Sequence, residues 1–321
     1  MKPIGGFFEL EAGGAAPPFH AGAMAFCSGR ACLRRILEET RPRRALVPFY
    51  ICDSALVPFD ALGVPYTFYP LTASLEPDLP AHAADDASVL YVNYFDLKSA
   101  CAQRLVSWGG GRVIVDDTQA FFRRGYSGGW SFNSARKFFG VPDGGYAYGS
   151  GLPSGPACPR LEDVRYDHLV NRLLGRQAIA YQQYVESEAA VSASPRRPSL
   201  LTERLLANID YDGARAARRR NFALVHDRLG PLNRLSIAAE PLADAVPFCY
   251  PFMPDRPVLR DALWRRDVFV PQLWPEVIER GVDGFEWERD LARRLLPLPI
   301  DQRYGAGDME HVCHEVAGIL A

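Results

Sequence analysis

The amino-acid sequence predicts an α/β protein with a mainly parallel sheet in a large domain, followed by a smaller α+β domain. Strand-length apolar runs, of which 45–50 and 113–115 are examples, alternate with polar stretches of helix length or with turn residues. The run that ends at Asp116 has the character of a buried parallel strand, whose carboxyl end opens onto a site. The 321 residues are enough for both domains.

The predicted elements begin with a helix after Ser28, which has the character of an N-cap and precedes apolar residues at helical spacing. Short β-rich runs follow it. A helical pattern then extends from 161 to about 190, and a second long helix is predicted at 213–228. We place the domain boundary just before that second helix. Residues 1–208 then form the large domain with an N-terminal arm, and residues 209–321 form the small domain.

Composition excludes several classes of protein. With 48% hydrophobic and 23% charged residues and a net charge of -2, the chain is typical of soluble globular proteins and has no basic surface for nucleic acid. Its apolar runs are too short for a membrane span, and the N-terminus lacks a signal pattern, so we expect a cytoplasmic protein. Seven cysteines without a close CxxC pair, and His311 with His314 but no third ligand, predict neither disulfides nor a metal site.

Lysine is rare in this chain, which has only Lys2, Lys98 and Lys137 among 36 basic residues. An arginine cannot lose its proton, whereas a lysine amine can be deprotonated and then act as a nucleophile. Lys137 is followed by Gly144 and Gly145, where the backbone must turn sharply or approach a ligand closely. Lys137 is therefore a candidate nucleophile, although low lysine usage by itself also fits a coding bias.

A carboxylate and an amide follow the strand that ends at Asp116. One of the aspartates 116 and 117 could pair with a protonated ring nitrogen, and Gln119 could bind a neighbouring ring hydroxyl. The alternative is that both aspartates cap a turn. The helix start after Ser28 offers backbone N–H groups that suit a phosphate. A phosphate site, an anion for a ring nitrogen and a lysine are the three needs of pyridoxal phosphate.

These motifs resemble those of the DegT/StrS-type sugar aminotransferases, a fold-type I family of pyridoxal phosphate enzymes. The resemblance extends over most of the chain and rests on SGRACL, VDDTQA, SFNSARKFFGVPDGG, NRLLGRQ and LLPLPIDQRYGAGDMEHV. It implies a fold-type I large domain, pyridoxal 5'-phosphate as cofactor and a homodimer whose active sites lie between two subunits. Asn171 with Arg172 matches a segment that reaches in from the partner.

The resemblance also implies roles for individual residues. Lys137 would form the Schiff base with the cofactor and then move protons, and its partial burial between Phe138 and Phe139 would favour the neutral amine. Asp116, rather than Asp117, would address the ring nitrogen, because strand alternation sends adjacent side chains to opposite faces. The residues expected to bind the cofactor by its ring or phosphate are Asp116, Gln119, Ser28, Gly29, Arg30, Ala31, Tyr50, Ser134 and Asn171.

The function predicted in this way is amino transfer from a donor such as glutamate to a carbonyl of a sugar or related metabolite, in polysaccharide or secondary-metabolite biosynthesis. Two alternatives stay open from the sequence. The same cofactor also supports elimination or dehydration, and a relative without turnover could bind a metabolite only. A dehydrogenase is disfavoured, because no GxGxxG motif follows the first strand.

Overall fold

The structure is a computed structural model that describes residues 10, 12, 16–80, 82–150, 158–191, 193–237, 244–258 and 260–320. The strands are β1 (Met24–Phe26), β2 (Ala45–Pro48), β3 (Tyr66–Tyr69), β4 (Ser88–Val92), β5 (Val113–Asp116), β6 (Trp130–Phe132), β7 (Gly145–Tyr148), β8 (Tyr250–Phe252) and β9 (Leu296–Leu298). The helices are α1 (Gly29–Thr40), α2 (Val57–Leu62), α3 (Ser99–Gly109), α4 (Asp167–Leu173), α5 (Gln177–Ala190), α6 (Leu200–Leu206), α7 (Tyr211–Leu229), α8 (Arg260–Trp264), α9 (Glu276–Glu279), α10 (Glu286–Arg294) and α11 (Ala306–Leu320).

The main sheet has seven strands in the order β1-β7-β6-β5-β4-β2-β3. Strands β3, β2, β4, β5 and β6 run parallel, and β7 pairs antiparallel with both β6 and β1. Every residue of β2, β4 and β5 is buried, as expected for parallel strands in the middle of such a sheet. The prediction of an α/β fold with a mainly parallel sheet is confirmed.

Helix α1 begins where the sequence predicts it. The side chain of Ser28 accepts a hydrogen bond from the N–H of Ala31, and the apolar side of the helix is buried against the sheet. The predicted long helix at 213–228 is also present as α7. The helical pattern predicted for 161–190 is helical only from Asp167, and Gly175, at φ 75°, separates α4 from α5.

Strand directions bring several chain segments to one edge of the sheet. The carboxyl ends of the parallel strands β2, β4, β5 and β6 lie at this edge, where Asp116 stands opposite Phe132. Because β1 runs antiparallel to β7, which itself opposes β6, the end of β1 reaches the same edge. Phe26 there pairs with Gly145. The start of α1 and the chain after β6 are thereby placed beside Asp116.

The C-terminal part of the chain has a hydrophobic cluster of its own, built from α7, α8, α11 and the two-stranded sheet of β8 and β9. Other C-terminal residues, including Trp274, pack against the core of the main sheet. The division into domains at 208/209 stays a prediction, and part of the expected N-terminal arm lies outside the described residues. Within the described ranges, no helix is both long enough and apolar enough to cross a bilayer.

Candidate active site

Lys137 lies in the 3₁₀ turn Ala135–Lys137 that follows β6. Its Nζ donates a hydrogen bond of 2.9 Å to Oγ1 of Thr118. The backbone N–H of Thr118 in turn donates to Oδ1 of Asp116 at 2.8 Å. The structure therefore connects the predicted nucleophile to the predicted carboxylate through one intervening residue.

The predicted partial burial of Lys137 is wrong. Its side chain is exposed, although Phe138 and Phe139 next to it are buried. The two rings pack into a separate aromatic cluster with Phe121, because the 3₁₀ turn directs them away from the lysine amine. In this structure the amine is oriented by its hydrogen bond to Thr118 and not by an apolar enclosure.

Asp116 and Asp117 point in different directions, as strand alternation predicts. Asp116 is buried, and this burial raises the pKa of its carboxyl group, an effect that the nearby charge of Lys137 opposes. Asp117 instead accepts hydrogen bonds from Nδ2 of Asn93 at 2.9 Å and from the hydroxyl of Tyr126 at 3.1 Å. Of the two carboxylates, only Asp116 is connected to the lysine.

Gln119 is buried, and its Oε1 accepts a hydrogen bond of 2.9 Å from the backbone N–H of Phe95. The amide nitrogen is then the end of this side chain that can donate to another group. Phe95 and the next residue, Asp96, both adopt left-handed backbone conformations, at φ 61° and 59°. This uncommon backbone directs the Phe95 N–H toward Gln119.

The start of α1 lies directly beside Thr118. A Cβ atom on Gly29 would be 3.2 Å from Cγ2 of Thr118, so the glycine permits this close approach. The first N–H groups of an α-helix have no partner within the helix, which leaves those of Gly29 and Arg30 for an anion. The expected contribution of Ala31 needs correction, because its N–H already donates to Oγ of Ser28 at 3.1 Å.

Gly144 and Gly145 hold the lysine turn against the start of α1. Gly144 has φ +110°, which favours glycine, and its backbone N–H donates to the carbonyl of Cys27 at 2.8 Å. A Cβ on Gly145 would lie 2.8 Å from the carbonyl oxygen of Asn133 and 2.9 Å from the backbone of Ser28. The close approach predicted at these glycines is thus an approach of backbone to backbone. It packs the backbone of Asn133, the residue before buried Ser134, and that of Ser28 on either side of Gly145.

Tyr50 is not at the site, and its predicted stacking on a cofactor ring is wrong for this structure. The residue is fully buried, with its ring stacked on Tyr94 at a centroid distance of 5.8 Å and in edge contact with Trp274 at 4.5 Å. Large aromatic side chains that follow a buried strand gain most by packing into the core, and this gain determines the position of Tyr50.

Asn171 is engaged within its own helical hairpin. Its Nδ2 donates to Oε1 of Gln183 at 2.9 Å, and its Oδ1 accepts from Arg176 at 3.3 Å. The neighbouring Arg172 is exposed. The structure does not bring Asn171 to the Lys137 of the same chain, and a role in a partner's site stays a prediction.

Two residues near the lysine were missed at the level of sequence. Thr118 could have been found from its place between Asp116 and Gln119 in the same motif. Cys52, which follows β2, had no comparable signal. Burial raises the pKa of its thiol, and the charges of Lys137 and Asp116 both act on it.

The donor set fits pyridoxal phosphate. An amine, a buried carboxylate, an amide and helix N–H groups meet where Gly29 and Gly145 leave no room for a Cβ. No cluster of three or more histidine, cysteine, aspartate or glutamate residues suited to a metal occurs in the described ranges. Cys27 and Cys32 are both buried in the core of the main sheet.

The comparisons with known proteins identify the fold. No protein-family model and no curated protein matches the sequence. Several solved structures are similar to this chain. One is DesV of S. venezuelae in complex with a ketimine intermediate, which is 17% identical in sequence and has a TM-score of 0.61. The match covers 92% of this chain and 84% of the DesV chain. The sugar aminotransferase CalS13 from Micromonospora echinospora matches with 16% identity over 93% and 88%, at a TM-score of 0.61.

A third similar structure is PseC of Helicobacter pylori, an aminotransferase of pseudaminic acid biosynthesis, with 10% identity over 92% of this chain and 86% of its own, at a TM-score of 0.60. Identities in this range establish the fold, not the activity. The chain has the fold of the sugar aminotransferases, and the predicted fold class is confirmed.

Proposed function

We propose that the protein is a pyridoxal-phosphate-dependent aminotransferase that transfers an amino group from an amino acid to a carbonyl of a sugar or related metabolite. One observation carries this proposal. In the fold of the sugar aminotransferases, Lys137, Thr118 and Asp116 are connected by hydrogen bonds of 2.9 and 2.8 Å beside the start of a helix. Amine, carboxylate and phosphate-binding N–H groups are thereby within reach of a single small ring.

Residues of this chain would hold the cofactor at three places: its phosphate, its ring nitrogen and its ring hydroxyl. The N–H groups of Gly29 and Arg30, with the hydroxyl of Ser134, would bind the phosphate. Asp116 would bind the ring nitrogen, and the amide nitrogen of Gln119 would donate to the ring hydroxyl. When bound, the cofactor supplies an electron sink for charge that develops at the substrate carbon.

Asp116 needs a cationic partner to be ionised at low cost. Burial raises the pKa of its carboxyl group, and a protonated ring nitrogen would offset this effect because opposite charges stabilise each other in a site of low dielectric constant. The same pair would keep the ring nitrogen of a bound cofactor protonated. Asp116 therefore adjusts the electronic state of the ring, while it takes no part in proton transfer at the substrate.

Lys137 is the group that can move a proton at the substrate carbon. An amine close to the reacting atom is a suitable general acid or base, and the exposed position of Lys137 lets a substrate approach it. Thr118 contributes by accepting the hydrogen bond from Nζ, which orients the amine toward the side of the site where Asp116 lies.

We further propose that a second copy of the chain covers the hairpin formed by α4 and α5. This hairpin exposes large apolar side chains, with Leu173 exposed by 85% and Tyr181 by 69%. Contiguous exposed apolar surface of this kind is typical of protein–protein interfaces. Asn171 and Arg172, which the sequence predicts to reach a partner's site, lie on the same hairpin. A symmetric dimer would cover the exposed apolar side chains and would also bring Asn171 and Arg172 to the partner's site.

The visible absorption spectrum of the purified protein tests the proposal. A cofactor attached to Lys137 makes the protein yellow, and titration with glutamate, glutamine and a panel of other amino acids should bleach the band for a true donor. The corresponding keto acid should be released in equal amount. A protein that leaves the band unbleached by every amino acid and yields elimination or dehydration products would be a lyase or dehydratase instead.

A further inference from the structure

Two arginine side chains share one carboxylate beside the candidate active site. Arg136 forms an ion pair with Oε1 of Glu188, and Nη2 of Arg30 lies 4.0 Å from Oε2 of the same residue. Arg30 also donates to the backbone carbonyls of Val191 at 3.0 Å and of Glu188 at 3.4 Å. The end of α5 and the residue after it thus hold the Arg30 guanidinium next to that of Arg136.

The position of this pair connects it with the site. Arg30 belongs to the first turn of α1, whose N–H groups we assign to the phosphate, and Arg136 directly precedes Lys137. Cys52 acts electrostatically on Arg30 and raises its pKa, an effect opposed by the burial of Arg30, and the thiol of Cys52 is itself affected by the charges of Lys137 and Asp116. The pair therefore lies on the rim of the site and not on a distant surface.

Arg30 and Arg136 share one carboxylate as their ion-pair partner. The side chains of Arg30 and Arg136 are only 19% and 12% exposed, and burial lowers the pKa of both guanidinium groups. Glu188, whose side chain is 37% exposed, is the carboxylate that forms ion pairs with them among the described residues. Asp143 is the other carboxylate whose charge acts on Arg136, and it is bound to Ser199 and Thr202.

Two largely buried cations that share one ion-paired carboxylate favour an additional or stronger anion, because a buried charge without a close partner of its own is costly. The nearby start of α1 adds partial positive charge. The planar forks of two guanidinium groups match a carboxylate, which is also the group that Glu188 presents to them. Glu188 can leave, since it is the most exposed member of the cluster.

We infer that Arg30 and Arg136 form a recognition site for a substrate carboxylate, and that Glu188 competes with the substrate for it. The inference rests on the proposed function in one respect, because it takes the bound carboxylate to belong to a substrate of that enzyme. A carboxylate could come from the side chain of an acidic amino donor or from an acidic sugar acceptor. The donor and the acceptor would present the same carboxylate group to the arginines, so an experiment has to distinguish them.

The test is isothermal titration calorimetry of the full-length protein with glutarate, which has the donor's carboxylates but no amino group, and in parallel with D-glucuronate. Glu188→Gln removes the competing charge and keeps the shape, so it should bind one of the two ligands at least tenfold more tightly than the wild type. Arg136→Gln should bind that ligand at least tenfold more weakly. Arg34→Gln, which removes the half-buried ion pair with Glu38 on the same helix, is the matched control and should bind like the wild type.

The opposite directions expected for Glu188→Gln and Arg136→Gln keep the test informative even if one variant folds poorly. Binding of glutarate assigns the site to the donor, and binding of glucuronate assigns it to the acceptor. Because neither ligand turns over, the result is independent of whether the protein is an aminotransferase. Unchanged affinities in both variants would overturn the inference. Stronger binding of inorganic phosphate than of either carboxylate would also overturn it. The same holds if Arg136→Gln loses the bound cofactor while its carboxylate affinity is unchanged, since the arginine pair would then bind the cofactor phosphate.

Discussion

Nζ of Lys137 and Oγ1 of Thr118 are joined by a hydrogen bond of 2.9 Å. The backbone N–H of Thr118 also binds Asp116, so one residue touches both groups on which the proposed chemistry depends. A threonine is rigid about its first side-chain torsion, and its hydroxyl therefore fixes the amine in a defined place relative to the carboxylate.

Thr118→Val should lower the rate of amino transfer about tenfold, since a hydrogen bond that helps to orient a charged group contributes about 1.5 kcal/mol. Thr118→Ser keeps the hydroxyl and should stay close to the wild-type rate. Stopped-flow measurement of the half-reaction with the donor, normalised to cofactor content, gives both values. If the valine variant is as fast as the serine variant, the hydrogen bond has no role in turnover.

Lys137→Arg should leave a folded protein that still binds the cofactor through its phosphate and Asp116, but without a lysine-linked cofactor and with essentially no turnover. The reason is that a guanidinium group cannot lose its proton to become a nucleophile. Borohydride reduction of the wild type followed by peptide mapping should locate the label on Lys137. Lys98→Arg is the control, and a label on Lys98 would refute the assignment.

Asp116→Asn should reduce turnover far more than Asp117→Asn. Loss of one partner of a buried charge pair costs about 3–5 kcal/mol, which corresponds to about two to three orders of magnitude in rate when it is expressed in the transition state. Asp117 faces Asn93 and Tyr126 and is not connected to Lys137. Steady-state kinetics of the two variants test this prediction. Equal losses of turnover would contradict the assignment of Asp116 to the ring nitrogen.

Asp117 should make the protein less stable as the pH rises. Burial raises the pKa of its carboxyl group well above the ordinary value, and the nearby charge of Asp96 adds to this effect, while hydrogen bonds from Asn93 and Tyr126 oppose it. The native state then binds more protons than the unfolded state from about pH 4 upward, so the free energy of unfolding falls until the folded pKa is passed.

Asp117→Asn removes this titration. Compared with the wild type, the variant should lose less stability between pH 5 and pH 8, with a difference of about 1 kcal/mol or more. Urea unfolding of both proteins at the two pH values is the measurement. Parallel changes in the two proteins would show that Asp117 keeps the same charge in the folded and unfolded states.

Leu173→Glu should convert the proposed dimer into a monomer, because it introduces a charge at the most exposed apolar position of the α4–α5 hairpin. Leu232→Glu, at another exposed leucine outside this hairpin, is the matched control and should stay dimeric. Light scattering at micromolar concentration reports the mass of each. A wild-type protein that is monomeric with cofactor bound would argue against the shared site.

Much of the sheet could be predicted from local sequence. Strands β2, β4 and β5 are continuous apolar runs because both of their faces are buried, and α1 has its capping serine and apolar spacing. Strands β1, β6 and β7 were not predicted, because their short apolar runs lie among glycine and polar residues. The antiparallel pairing of β1 with β7 also joins segments far apart in sequence, which no local pattern indicates.

Local sequence specifies the chemical groups that are available: an amine at Lys137, a carboxylate at Asp116 on one side of a strand, and helix N–H groups after Ser28. Packing between distant segments makes Thr118 the acceptor of the Lys137 hydrogen bond, buries Tyr50 in the core, and places Glu188 between two arginines. Strand alternation and helix capping are local and depend on neighbouring residues. Contacts between distant segments depend on how the sheet and helices pack, which no local pattern contains.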